Sequence, residues 1–167
     1  WSGNFIVGKA ASSFDIPPFT LNFYRWLFAW LILAPFTLKE IFKTRSHILE
    51  NLKYVLILGI TSITLFNSIV YYSLQFTQVI SGVLMISTIP VMIIFFSSLL
   101  KIEKTNFYQL MGVIFSMLGV IVIVTQLSEE KIKELSFNKG DLSIIIAMLS
   151  WALYSALLRK NKLKLSQ

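Results

Sequence analysis

The chain has 167 residues and a net charge of +7, with 56% hydrophobic and only 14% charged residues, and its mean hydropathy is +0.73. A soluble domain carries roughly 25% charged residues, so a water-soluble fold is excluded as the setting for this much apolar surface, and the absence of cysteine excludes disulfides and thiolate metal sites. The basic residues flank apolar runs instead of forming one stripe interleaved with exposed aromatics, which sets a nucleic-acid partner aside in favour of a lipid bilayer.

The apolar runs lie near 1–14, 17–38, 54–74, 79–100, 107–126 and 142–158. Crossing a hydrocarbon core of about 30 Å takes roughly 20 helical residues. Spans of this length without strict period-two alternation suit helices rather than barrel strands, because every backbone group in lipid needs an internal partner. The expected fold class is therefore an all-α integral membrane protein, a polytopic helix bundle. The first run would rise only about 21 Å as a helix, and together with the opening Trp1 this predicts a cut N-terminus. Pro17 and Pro18 suit a helix start, where the first N–H groups have no intrahelical partner. Pro90 lies within its run, where its ring removes a backbone hydrogen bond, and it is expected to kink or hinge that helix.

Lysine and arginine set an expected orientation. Lys39, Lys43, Arg45, Lys53, Lys101, Lys104, Arg159, Lys160, Lys162 and Lys164 collect on one side, against Lys9, Lys131, Lys133 and Lys139 on the other. The positive-inside rule makes the first side cytoplasmic. Both ends of the chain and the loops near 39–53 and 101–106 then face the cytoplasm, with a tight hairpin at 75–78 outside.

Polar residues inside apolar spans are the candidates for function. A charge such as Arg25 costs roughly 2.5–3.5 kcal/mol within a span and persists where it has a partner or lines a cavity. Arg25 can snorkel to the headgroups, pair with Asp15, or face a substrate; Lys9, nearer a helix end, raises the same question. Thr61, Thr64, Asn67, Tyr71 and Gln75 are spaced to share one helical face, with Asn67 and Tyr71 preferred as contacts for a small polar ligand. The competing reading is interhelical hydrogen bonding at roughly 0.6 kcal/mol each. Ser81, Met85, Thr88 and Met92 form a weaker stripe, from which Ser81 and Thr88 join the candidates. Gly112 with Ser116 reads as a small-xxx-small packing pair, while His47 and the run Glu129, Glu130, Lys131, Lys133 and Glu134 read as solvated loop.

No catalytic set, phosphate-binding glycine loop or metal cluster is present, and the acidic residues all lie outside the expected spans. No enzyme activity and no cofactor are expected, and proton coupling lacks an acidic carrier within a span.

Trp1 to Lys9 and Trp151 to Lys160 echo each other, each placing a tryptophan eight residues before a basic residue. If the sixth span restarts the first, the repeat holds five helices, and an odd number inverts the second copy. On Trp1, Asn4 and Lys9, the Pro18–Arg25 spacing, the block from Tyr71 through Pro90 to Lys101, Ile102, Glu103 and Lys104, the glycines Gly112 and Gly119, and Gly140-Asp141-Leu142 leading to Trp151 and Tyr154, the sequence resembles the EamA-type permeases of the drug/metabolite transporter superfamily across essentially its whole length. The resemblance implies a ten-helix transporter of two inverted five-helix repeats moving amino acids or related metabolites across the inner membrane. Residues 1–126 would then be the first repeat, 127–141 an extracytoplasmic loop and 142–167 the first helix of the second repeat. Asn4 enters the candidate substrate residues on this ground, beside Arg25, Asn67, Tyr71, Ser81 and Thr88, and Glu103 reads as a cytoplasmic helix anchor. The expected function is secondary transport of a small-molecule substrate by alternating access. The rival is a non-transporting membrane subunit scaffolding a lipid-modifying or flippase complex, and self-association into a homo-oligomer is left open.

Overall fold

The computed structural model describes residues 2–102, 106–125 and 138–160. Trp1, Glu103, Lys104, Lys162, Lys164 and the run expected to be a solvated loop at 129–134 fall outside them. All regular structure among the described residues is helical: α1 (Ser2–Ser13), α2 (Pro18–Lys43), α3 (Arg45–Glu50), α4 (Leu52–Gly59), a π-helical segment (Ile60–Leu65), α5 (Phe66–Ser73), α6 (Val79–Ile86), α7 (Ile89–Leu99), α8 (Phe107–Thr125) and α9 (Lys139–Arg159). Four continuous stretches among them are long and apolar enough to span a bilayer: Pro18–Lys43, Leu52–Ser73, Val79–Leu99 and Lys139–Arg159.

Local chemistry explains the helix ends. Asp15 takes a left-handed φ of 54°, and the Ile16 N–H reaches the Ala11 carbonyl at 3.0 Å, closing α1 in the manner of a left-handed C-terminal cap. Pro18 then opens α2 at its first position, where no N–H is needed. α2 runs to Lys43, five residues past the end expected from its apolar run, and most of the basic loop that follows folds as α3, which carries His47 beside Glu50. Asn138 and Asp141 form a reciprocal capping box at the start of α9: the Asn138 side chain accepts from the Gly140 and Asp141 N–H groups, and the Asp141 carboxylate accepts from the Asn138 N–H.

Two of the long helices are irregular, the third where the sequence predicts a regular helix and the fourth close to the kink expected at Pro90. The third span passes through the π segment, which takes in more residues per turn than an α-helix, so the residues before and after it lose their common period. The stripe expected along one face is accordingly divided. Thr61 turns back to the Ile57 carbonyl at 2.7 Å, Thr64 and Gln75 are exposed, and Asn67 and Tyr71 are buried. The fourth span breaks at Ser87–Thr88, where the backbone N–H groups make short-range bonds to Leu84 and Met85 and both hydroxyls donate to those same carbonyls at 2.6 Å. Pro90 lies in the first turn of α7, so the break stands two residues before it.

α9 lies in the middle of the bundle, against α5, α7, α6, α4 and the π segment. Its buried face is built largely from small residues, among them Ala147, Ser150, Ala152 and Ala156, which let helices approach closely and replace the hydrophobic drive that lipid does not supply. Around them a core forms from Phe5, Phe66, Val70, Tyr71, Leu74, Ile144 and Met148. Gly140 is required by this fit: a Cβ there would stand 2.7 Å from the backbone oxygen of Ser73. The Gly112–Ser116 pair behaves otherwise than expected. Among the described residues no atom lies within 4 Å of a Cβ placed on Gly112, and both residues border an open groove of about 520 Å³ between α7 and α8.

Candidate functional site

Three spans deliver polar side chains to one place. Arg25, two turns into α2, donates from Nη1 to Asn4 Oδ1 on α1 at 2.7 Å and to Asn67 Oδ1 on α5 at 3.2 Å, and also to the Tyr71 hydroxyl. Tyr71 in turn donates to Asn4 Oδ1 at 2.6 Å. The guanidinium carbon lies 5.6 Å from the Trp26 ring centroid and 6.0 Å from that of Tyr71, within cation–π range. Asp15, considered above as a partner, is not among these contacts.

The π segment aims Asn67. Its carbonyls at Ser62 and Ile63 accept from Asn67 Nδ2 at 3.0 and 3.4 Å, and the Ile63 carbonyl also accepts from Asn22 Nδ2 at 3.0 Å. With its amide nitrogen held by backbone oxygens, Asn67 presents its carbonyl oxygen to Arg25. The irregular turn and the polar cluster are thus one construction.

Beside the cluster is a cavity of about 430 Å³, bordered by Asn4, Arg25, Ser62 and Asn67 on one part and by Trp26, Phe66, Trp151 and Tyr154 on another. That size and mixture, a mostly apolar wall with a few convergent polar groups, is typical of small-molecule sites. Trp151 stacks at a tilt on Phe66 at 4.7 Å and touches Tyr154 at 5.1 Å, so α9 supplies an aromatic wall. Of the candidates named from sequence, Asn4, Arg25, Asn67 and Tyr71 come together. Ser81 and Thr88 do not border this cavity; Ser81 is half-buried on α6, and the Thr88 hydroxyl is engaged at the helix break. The aromatic residues escaped the sequence reading, although Trp151 and Tyr154, three apart, already share a helical face.

A second polar tier closes the hairpin end of the bundle. Lys9 Nζ donates to the carbonyls of Leu74 at 2.7 Å and Thr77 at 3.0 Å, placing its charge at the C-terminus of α5, where the helix dipole favours a cation. The Thr77 hydroxyl donates to Asp141 at 2.5 Å, and Asp141 is buried. Expected just outside its span, this carboxylate belongs to the first turn of α9. Thr77 therefore joins a cation on α1 to an anion on α9.

Residues 1–125 match the EamA-like transporter family. An uncharacterized transporter, YyaM, of Bacillus subtilis is 31% identical over 116 residues, covering 70% of this chain and 38% of the relative. An uncharacterized transporter of Archaeoglobus fulgidus is 29% identical over 164 residues, 98% of this chain and 55% of its own length, and one of Clostridium kluyveri is 24% identical over 165 residues, with shares of 96% and 51%. The chain spans about half the length of the curated relatives it matches. No solved structure matches it. The family match over three quarters of the chain, on a bundle of membrane-length helices around a polar cluster, shows that this multi-pass membrane chain belongs to the EamA-like transporter family.

Proposed function

We propose that the protein is a secondary transporter of small metabolites such as amino acids, working by alternating access, with the cavity beside Arg25 as its substrate site. The observation that carries this reading is the convergence of Asn4, Arg25 and Asn67 from α1, α2 and α5 on one cavity, with Tyr71 bonded to Arg25 and Asn4 behind them. Polar side chains drawn from separate spans to a cavity within the membrane are a mark of substrate pathways.

In this reading α1 to α8 form one five-helix repeat, and α9 opens a second, inverted one in a ten-helix protein of the inner membrane. The loops near 39–53 and 101–106, with Arg159 and Lys160, face the cytoplasm, and the hairpin at 75–78 faces outward. Alternating access needs elements that move against one another, and the break at Ser87–Thr88 ahead of Pro90 offers a hinge in the fourth span. The full protein in liposomes should carry a labelled metabolite across the membrane. Alanine at Arg25 or Asn67 should reduce that flux while expression stays normal, and unchanged flux in both variants would remove the site assignment.

A further inference from the structure

Arg25 is engaged from one side only. Its three hydrogen bonds all leave from Nη1, so the Nε and Nη2 donors have no acceptor among the described residues. Every partner it does have is neutral, so its charge is uncompensated there as well. A guanidinium edge formed by Nε and Nη2 matches the two oxygens of a carboxylate in a planar, two-bond arrangement. Arg25 is also exposed and borders the 430 Å³ cavity, so that edge is open to a ligand.

The rest of the cavity narrows the class. Lys9 is turned to the carbonyls of Leu74 and Thr77, leaving Arg25 as the one cation at the cavity wall among the described residues and favouring a singly charged carboxylate over a phosphate dianion. The same cavity is lined by Trp26, Phe66, Trp151 and Tyr154, which accept a flat or apolar body. No acidic side chain borders the cavity among the described residues, so nothing ionic there receives an ammonium group. Resting on the transporter reading, we propose that the site takes an organic monocarboxylate with an aromatic or apolar body, held by the free edge of Arg25, while Asn4, Asn67 and Tyr71 hold the guanidinium in place.

Three probes sharing one ring test this: phenylacetate, phenylacetamide and phenethylamine, with head groups of charge −1, 0 and +1. Thermal unfolding of the full protein in detergent should shift upward with phenylacetate, with an apparent affinity at least tenfold above that for the amide or the amine. Arg25→Lys keeps the charge but loses the two-donor edge and should bind phenylacetate at least tenfold more weakly; Arg25→Gln should abolish the response. Equal responses to acid and amide, no response to the acid, or an undiminished response in both variants overturns the proposal. If a variant fails to fold, the acid-against-amide comparison in the unaltered protein decides alone. Flux of the same probes in liposomes separates the two readings. Carboxylate-selective binding without flux removes the transporter reading and keeps the ligand class, whereas flux without preference for the acid removes the ligand class and keeps the transporter.

Discussion

Arg25 and Asn4, 21 residues apart on successive helices, meet at 2.7 Å through Nη1 and Oδ1, and that oxygen also receives the Tyr71 hydroxyl at 2.6 Å. One carbonyl oxygen on α1 thereby ties α2 to α5. Because it is neutral, it orients the guanidinium without cancelling its charge, and that distinction can be tested.

Asn4→Asp keeps the shape of the side chain and adds the missing countercharge. A hydrogen bond to a charged group is worth roughly 1.5–3 kcal/mol, and with Arg25 exposed the net gain should be nearer about 1 kcal/mol. The variant should unfold at a higher temperature than the parent, yet carry labelled substrate at least about tenfold more slowly. Parental flux from this variant would show that the charge of Arg25 is not used on substrate.

Removing the Asn67 side chain leaves the Ser62 carbonyl without its side-chain donor and frees one contact of Arg25. Each unsatisfied buried group costs about 1–3 kcal/mol, so Asn67→Ala should lower thermal stability measurably, and Asn67→Leu should do the same despite filling the space. If Leu restores full stability, the π segment does not depend on this amide.

Lys9→Met should destabilise by about 1 kcal/mol, since it strips a cation from the C-terminal end of α5. Asp141→Asn should also destabilise, and the double variant should cost less than the two single changes together, because both charges act on Thr77. Strict additivity in chemical unfolding would mean that Thr77 does not couple them.

Pro90→Ala returns a backbone N–H to the turn that follows Ser87–Thr88. Stability should rise or hold, while flux falls several-fold if the fourth span must bend during transport. An alanine variant that transports at the parental rate would assign the proline to packing alone.

The spans were legible because a long apolar run has few structural outcomes in lipid, and Arg25, Asn67 and Tyr71 stood out because polar atoms are expensive there. Asn4 came into view through family resemblance, since a single asparagine near a chain end carries no spacing signal. The π segment was hidden: Ile60 to Leu65 contains no proline, and its Gly59 neighbour is compatible with an ordinary helix, so only the side chains that occupy its carbonyls reveal it. The aromatic wall was hidden for a different reason. Trp151, Phe66 and Tyr154 are what any membrane core contains, and their role depends on a cavity that only tertiary packing creates. Asp141 looked like loop because its span was judged by apolar content, whereas the capping box extends the helix three residues earlier.

The central position of α9 makes the first module depend on a helix that lies beyond it in sequence. The stretch that matches the family ends at residue 125, yet the helix that fills the middle of the bundle begins at Lys139 and interlocks with α5 through Gly140 and the Ser73 carbonyl. A protein trimmed to residues 1–125 would keep the whole stretch that matches the family and still be left with a trough where Ile144, Ala147 and Met148 had been.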